Sequence, residues 1–198
     1  MSAAVITYHR RMTRWQPDAH GRLVRAAMEL YLERGFGQTT VAQIAERAGV
    51  TERTFFRYFA DKREMLFDGS ERLQQLMVDA VAGSPADATP LDSIRTALDA
   101  VGSVFVDLTR SRTRQVIIDS DESLQERELI KRDRLATAIT RALRDRGVEE
   151  PAASLAAQTG IGVFHVAFAS WIAPGNTLGY TEIARNLLAE LRIVTNGS

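Results

Sequence analysis

Apolar positions along the chain recur with the 3.6-residue spacing of helices almost from end to end. From Ala19, residues Leu23, Ala26, Ala27, Leu30 and Tyr31 share one face with Phe36 beyond, and Gly35 supplies a stop. A second, short helix is predicted from Thr40, whose hydroxyl and Gln43 form a capping box that satisfies two orphan backbone donors. Its apolar face is Val41, Ile44, Ala45 and Ala48, and Gly49 ends it. Thr51 caps a third carrying Phe55, Phe56 and Phe59, and Asp61 caps a fourth expected from Lys62 to about Ala82. Gly83-Ser84-Pro85 and Thr89-Pro90 mark a loop, after which helices are predicted near 91–109, 113–119, 121–146, 150–172 and 178–195. No run alternates apolar and polar with β-branched enrichment, so the fold class expected is all-α.

With 198 residues, 45% hydrophobic and 25% charged, the composition excludes a disordered, collagenous or disulfide-built chain. The absence of cysteine removes disulfides, thiolate metal sites and cysteine nucleophiles together. Twenty-five basic and 25 acidic residues cancel globally, but not locally. Residues 1–60 hold nine Arg and no Lys against five acids, and the remainder is acidic by the same margin. Arg alone in that basic third suits phosphate and guanine, because its planar fork donates two parallel hydrogen bonds; a solvated surface accounts for the bias equally well. The start, MSAAVITYHRRMTRW, does not read as a secretory signal, and no stretch offers the roughly 20 uninterrupted apolar residues of a membrane span. The expectation is a cytoplasmic protein with no membrane partner.

The segment Thr39 to Lys62, TTVAQIAERAGVTERTFFRYFADK, reads as two short helices around a tight turn at Ala48-Gly49-Val50. On the second of the two, Phe55 and Phe59 face inward, while Glu52, Arg53, Thr54 and Arg57 project elsewhere, with Arg53 and Arg57 on one face. Such a row, held by buried Phe, suits the major groove of double-stranded DNA. Thr40, at a helix N-terminus, favours a phosphate, and Lys62 is a candidate for a second. A three-helix unit with ordinary surface arginines remains the plain alternative.

The stretch Leu23 to Phe67 resembles the helix-turn-helix of the TetR family of transcriptional regulators. The matching features are Gly35-Phe36, Thr39-Thr40, Ala42 to Val50, Thr51, Thr54-Phe55-Phe56-Arg57-Tyr58-Phe59 and Asp61-Lys62. The resemblance implies that the third helix reads DNA while the second and Lys62 touch backbone. It gives a candidate DNA-binding set of Thr39, Thr40, Thr51, Glu52, Arg53, Thr54, Phe56, Arg57, Tyr58 and Lys62. Phe56 stands where the family commonly has Tyr, and Tyr58 where it often has His. The phosphate bond expected of the former therefore passes to apolar contact, and the Tyr58 hydroxyl is free to supply one. Glu52 either accepts from cytosine or repels wrong sequences, or is a first-turn acid favoured by the helix dipole.

The resemblance also implies a larger helical domain that binds a small molecule and dimerises. The divisions expected are a basic arm over 1–17, a DNA-binding domain over 18–66 and an effector and dimerisation domain over 67–198. Arg10, Arg11, Arg14 and Trp15 suit a minor-groove arm or a plain tail. Ala153 to Ile172 is apolar around most of its circumference and must be buried on several sides; Gly160, Gly162, Ala167 and Ala169 permit close approach. In relatives the last two long helices of each subunit meet their mates, which points to parts of 150–172 and 178–195, Leu187, Leu188 and Leu191 among them, in a homodimer reading a palindromic operator; an ordinary monomer core is the alternative. Phe105, Ile117, Phe164, His165, Phe168 and Trp171 are candidates for an effector pocket, or form ordinary core. Arg110, Arg112 and Arg114 are expected between helices, as an anion site or a solvated loop. The C-terminal half is similar to a subgroup associated with acyl-CoA-like ligands, so the effector expected is apolar or acyl-CoA-like.

Nothing in the chain supports catalysis, a cofactor or a metal. The three His at 9, 20 and 165 are scattered, and no nucleophile elbow, Walker loop or dinucleotide fingerprint occurs. Asp119, Asp121 and Glu122 lack the calcium-loop pattern and read as capping acids. Two functions remain open: an effector-released repressor, or a small-molecule or protein-binding helical module whose helix-turn-helix serves a chromosome-associated role.

Overall fold

The computed structural model describes residues 18–196, all of whose regular structure is helical. The expected arm over 1–17 lies outside the described residues. The helices are α1 (Ala19–Arg34), α2 (Val41–Arg47), α3 (Glu52–Tyr58), α4 (Ser70–Ala82), α5 (Pro90–Val101), α6 (Leu108–Asp119), α7 (Glu122–Asp145), α8 (Ala152–Ile172) and α9 (Tyr180–Asn196).

Two hydrophobic clusters organise them. The first is built on Leu23, Leu30, Ile44, Phe55 and Phe59 and also takes Met65, Leu66 and Phe67. Ile117 and Ile118 at the end of α6 and Leu124 of α7 complete it, so the small N-terminal unit is closed by side chains from the larger one. The second lies among α4, α5, α7, α8 and α9 around Met77, Ile94, Leu98, Ile139, Leu143 and Ala157.

Two predicted helices are shorter than their patterns suggest. Residues 61–69 run as turns, and α4 begins only at Ser70, after Gly69 at φ 87°. Met65, Leu66 and Phe67 are all buried, and three consecutive side chains cannot share one helix face, so the segment winds tightly instead. Asp61 still caps it, accepting from the backbone N–H of Arg63 at 2.7 Å and of Glu64 at 3.1 Å. The helix expected over 91–109 ends at Val101 with Gly102 as its C-cap, where the backbone passes close beside the Thr181 side chain.

The chain resumes as α6 when Asp107 accepts from the Arg110 N–H at 2.9 Å. Arg110, Arg112 and Arg114 therefore sit on a helix, which corrects their expected place in a loop. Arg112 donates to the carbonyls of Ile172 and Ala173, both at 2.7 Å, closing the end of α8. Arg114 donates to the Leu66 carbonyl at 2.7 Å and pairs with Glu128.

By length and composition α8 is apolar enough to cross a membrane, and it packs against α5, α7 and α9. At Gly160 a β-carbon would lie 2.7 Å from Ile94 Cγ2, so glycine sets how closely α5 and α8 approach. Helix α8 is buried on several sides, as expected, and its remaining side is open, with Leu155 and Val166 exposed.

Candidate nucleic-acid interface

The N-terminal unit is assembled from backbone caps and inward-facing cations. The Thr40 hydroxyl accepts from the Gln43 N–H at 3.2 Å, and the Gln43 side chain accepts from the Thr40 N–H at 2.9 Å. Gly49 at φ 67° turns the chain after α2, and Thr51 then caps α3 by accepting from the Thr54 N–H at 3.2 Å. Phe55 and Phe59 anchor α3 in the core. Arg47 clasps Glu33 through both terminal nitrogens, at 3.0 and 2.9 Å, and ties α2 to α1. Arg22 donates to the Ala48 carbonyl at the end of α2 at 3.0 Å.

The outward side of α3 is left to the expected row. Glu52, Arg53, Phe56, Arg57 and Tyr58 are exposed and Thr54 is half-buried. Arg57 donates to the Tyr58 hydroxyl at 3.2 Å, with its guanidinium 4.9 Å from that ring's centre. Neither Arg53 nor Arg57 pairs with an acid among the described residues, so their exposed guanidinium groups keep donors for guanine or phosphate, one Arg57 nitrogen being shared with Tyr58. Thr40 and Thr51 are exposed at the N-termini of their helices.

Two members of the predicted set face inward. Thr39 is 1% exposed, and its hydroxyl donates to the Gly35 carbonyl at 2.9 Å. Lys62 donates to the carbonyls of Phe36 at 2.8 Å and Thr39 at 2.7 Å, with its ammonium 4.3 Å from the Phe36 ring centre. The carbonyls exposed where α1 turns into α2, of which that of Phe36 also accepts from the Thr39 N–H, draw the cation inward, away from the phosphate expected of it. Burial pulls the Lys62 amine below its ordinary range, against the pull of Asp121. The Tyr31 hydroxyl donates to the Lys62 carbonyl at 2.7 Å, and burial raises its own pKa, which keeps it a donor.

Behind this unit lies an ionic grip that the sequence did not reveal. Glu64, in the connecting turns, is held by Arg127 and Lys131 of α7, with Lys131 at 3.1 Å. Arg114 of α6 lies over the Phe67 ring and bridges Leu66 to Glu128. Pairing residues 64 and 127 requires the fold, because no local spacing joins them.

The candidate effector residues divide. Phe105, Phe164, Phe168 and Trp171 come together, joined by Tyr180, which sequence reasoning missed. Ile117 lies instead in the N-terminal cluster. His165 is exposed, with Nδ1 3.0 Å from an Arg132 nitrogen, because its position on α8 points it away from the aromatic group. A separate open cleft of about 640 Å³ is lined by Thr137, Thr140, Arg141, Arg144, Ser154 and Gln158 among others.

Residues 23–68 match the family model described as bacterial regulatory proteins, tetR family. The HTH-type transcriptional regulator TcmR of Streptomyces glaucescens is 40% identical over 80 residues, covering 40% of this chain and 35% of TcmR. The nucleoid occlusion factor SlmA of Haemophilus influenzae is 28% identical over 126 residues, 61% of this chain and 57% of that protein. The chain thus spans about a third to just over half the length of these two relatives. Among solved structures, Thermus thermophilus FadR in complex with lauroyl-CoA is similar with a TM-score of 0.52 and 22% identity. That match covers 89% of this chain and 93% of FadR. The all-helical arrangement of an N-terminal helix-turn-helix and a C-terminal helical domain is common to both structures. The family model and TcmR describe regulators rather than enzymes.

Proposed function

We propose that this chain, whose residues 23–68 match the tetR family model and which aligns over 80 residues with TcmR at 40% identity, is a dimeric repressor released from a palindromic operator by a small molecule. The observation that carries this reading is the outward row on α3, where Arg53 and Arg57 are exposed while Phe55 and Phe59 fix the helix from behind. Arg53, Arg57, Thr54 and Glu52 are the base-facing groups, and Thr40, Thr51 and Tyr58 the phosphate-facing ones; Phe56 offers apolar contact to sugar or a thymine methyl. Thr39 and Lys62 hold the scaffold.

Residues 18–66 form the reader and 67–198 the effector and dimerisation part, with α6 joining them. One short helix reads only a few base pairs, so two copies related by a two-fold, roughly 34–36 Å apart, are needed for a specific site. Effector binding shifts the balance of two states because the states hold the ligand with different affinity, and DNA affinity falls with that shift.

Selection of bound sequences from a random duplex pool tests this. The expected outcome is a palindrome, with Arg53→Ala and Arg57→Ala each costing about 1–3 kcal/mol and relaxing preference at their own positions. Unchanged duplex binding in the double variant overturns the reading. The likeness to a nucleoid occlusion factor favours a second one, a chromosome-associated role for the same reader. Binding sites scattered through the chromosome, with no effector response, would support it.

A further inference from the structure

The aromatic group in the effector part contains a buried donor with nothing to bond. Tyr180 is 2% exposed, and its hydroxyl has no hydrogen-bond partner among the described residues. Leaving such a group unpaired destabilises the fold, which an ordinary core avoids by using Phe. Around it stand four rings. Phe105 meets Tyr180 edge-on at 5.0 Å between centres and lies nearly parallel to Trp171, 5.4 Å away and 8° from coplanar. Phe168 closes on Phe105 at 5.2 Å and Phe164 at 5.9 Å.

Phe105 is the one ring of the five that no helix carries. It sits on the segment 102–107 between α5 and α6, and its neighbour Val106 is 79% exposed. Withdrawing it breaks no helix; the backbone bond it makes runs to the Val101 carbonyl at 3.2 Å. The other four rings are fixed on α8 and α9.

We infer that this box is the effector site for a planar aromatic molecule bearing a hydrogen-bond acceptor, and that Phe105 is the plug such a molecule displaces. The inference rests on the reading of the chain as an effector-responsive regulator and adds the ligand's chemical class. A flat ring entering where Phe105 lies keeps the stack on Trp171 and the edge contact with Tyr180, and its acceptor takes the idle hydroxyl. An acyl chain fills the volume without either geometry. Displacing Phe105 also pulls on Asp107, the cap of α6, whose far end places Ile117 and Ile118 in the reader's core.

The chain has two Trp, so Trp15→Phe leaves Trp171 as the sole indole. Quinizarin, a planar dihydroxyanthraquinone, and lauroyl-CoA are titrated in parallel while Trp171 emission is read. Quinizarin is expected to quench saturably. Tyr180→Phe should weaken it about tenfold without lowering the thermal midpoint, and Phe105→Ala should tighten it. If Phe105→Ala does not fold, Phe105→Leu serves, because it still removes the flat plug. Absence of saturable quenching in the parent and in the Phe105 variant overturns the inference. So does quinizarin binding that Tyr180→Phe leaves unchanged, or lauroyl-CoA occupying the box in preference. Operator binding is measured on the same samples. If it persists while quinizarin fails, only the ligand class falls; failure of the Arg53 and Arg57 test removes the regulator reading itself.

Discussion

Lys62 points its ammonium inward at the turn between α1 and α2, onto two backbone carbonyls and the Phe36 ring. A lysine just after a recognition helix is an obvious phosphate contact in a linear reading, yet its ammonium rests on the Phe36 and Thr39 carbonyls. Both readings use the same charge, but they differ in what removal does. Lys62→Met keeps the stem over Phe36 and leaves the carbonyls short of a donor, so urea unfolding should show a loss of about 1–3 kcal/mol. The salt dependence of operator binding should keep its slope, whereas loss of a true phosphate contact lowers it by about one. A fall in slope without a loss of stability would return Lys62 to the interface. Thr39 belongs to the same lesson: a hydroxyl beside a helix start was legible, but not that it bonds backward to Gly35. By contrast, the Thr40–Gln43 box and the Thr51 cap were readable because their partners lie three residues away.

Among the elements, periodicity located the helices wherever one face meets one core, as in α1, α7 and α9, whose ends fall within two residues of expectation. It failed at 61–69, where the consecutive Met65, Leu66 and Phe67 are buried from different directions, and at 102–107, where the chain leaves the helix with only half-buried side chains such as Phe105 against the core. Those two segments are also where the parts of the molecule connect. Glu64 is pushed up by burial but pulled down further by the hydrogen bonds and charges of Arg127 and Lys131, and its net pKa lies below the ordinary 4.5. A carboxylate with a depressed folded pKa adds stability that is complete above its unfolded value and is lost as pH falls through the folded one. Stability should therefore drop as the solution is acidified below about pH 4.5, and Glu64→Gln should lack that part of the drop. Near neutral pH the variant should be about 1–3 kcal/mol less stable. Urea titrations of both proteins across the acid range check this; identical acid slopes would show that the grip contributes nothing.

At the scale of the whole molecule, α8 and α9 place apolar side chains where one copy of the chain has no use for them. Leu155 and Val166 on α8 and Ile193 and Val194 on α9 are exposed, whereas Leu188, expected at the interface, is buried in its own subunit's core and Leu187 is half-buried. The helices were legible as interface candidates, but not which face of each remains after the subunit core is filled, since both faces are apolar in sequence. Leu155, Gly162 and Val166 recur at intervals of seven and four, so they form one stripe, with a glycine at its centre permitting close approach. Scattered exposed apolar residues are ordinary, but a continuous stripe of this kind suits the two-fold contact that the proposed dimer requires. Leu155→Arg with Val166→Arg puts like charges across that axis and should halve the mass seen by sedimentation equilibrium. Because the second half-site then binds independently, operator affinity should fall on the order of a hundredfold or more, while α3 is untouched. A variant that stays dimeric and keeps its operator affinity would move the two-fold away from α8. The spacing of the two recognition helices would then have to be set by another pair of surfaces.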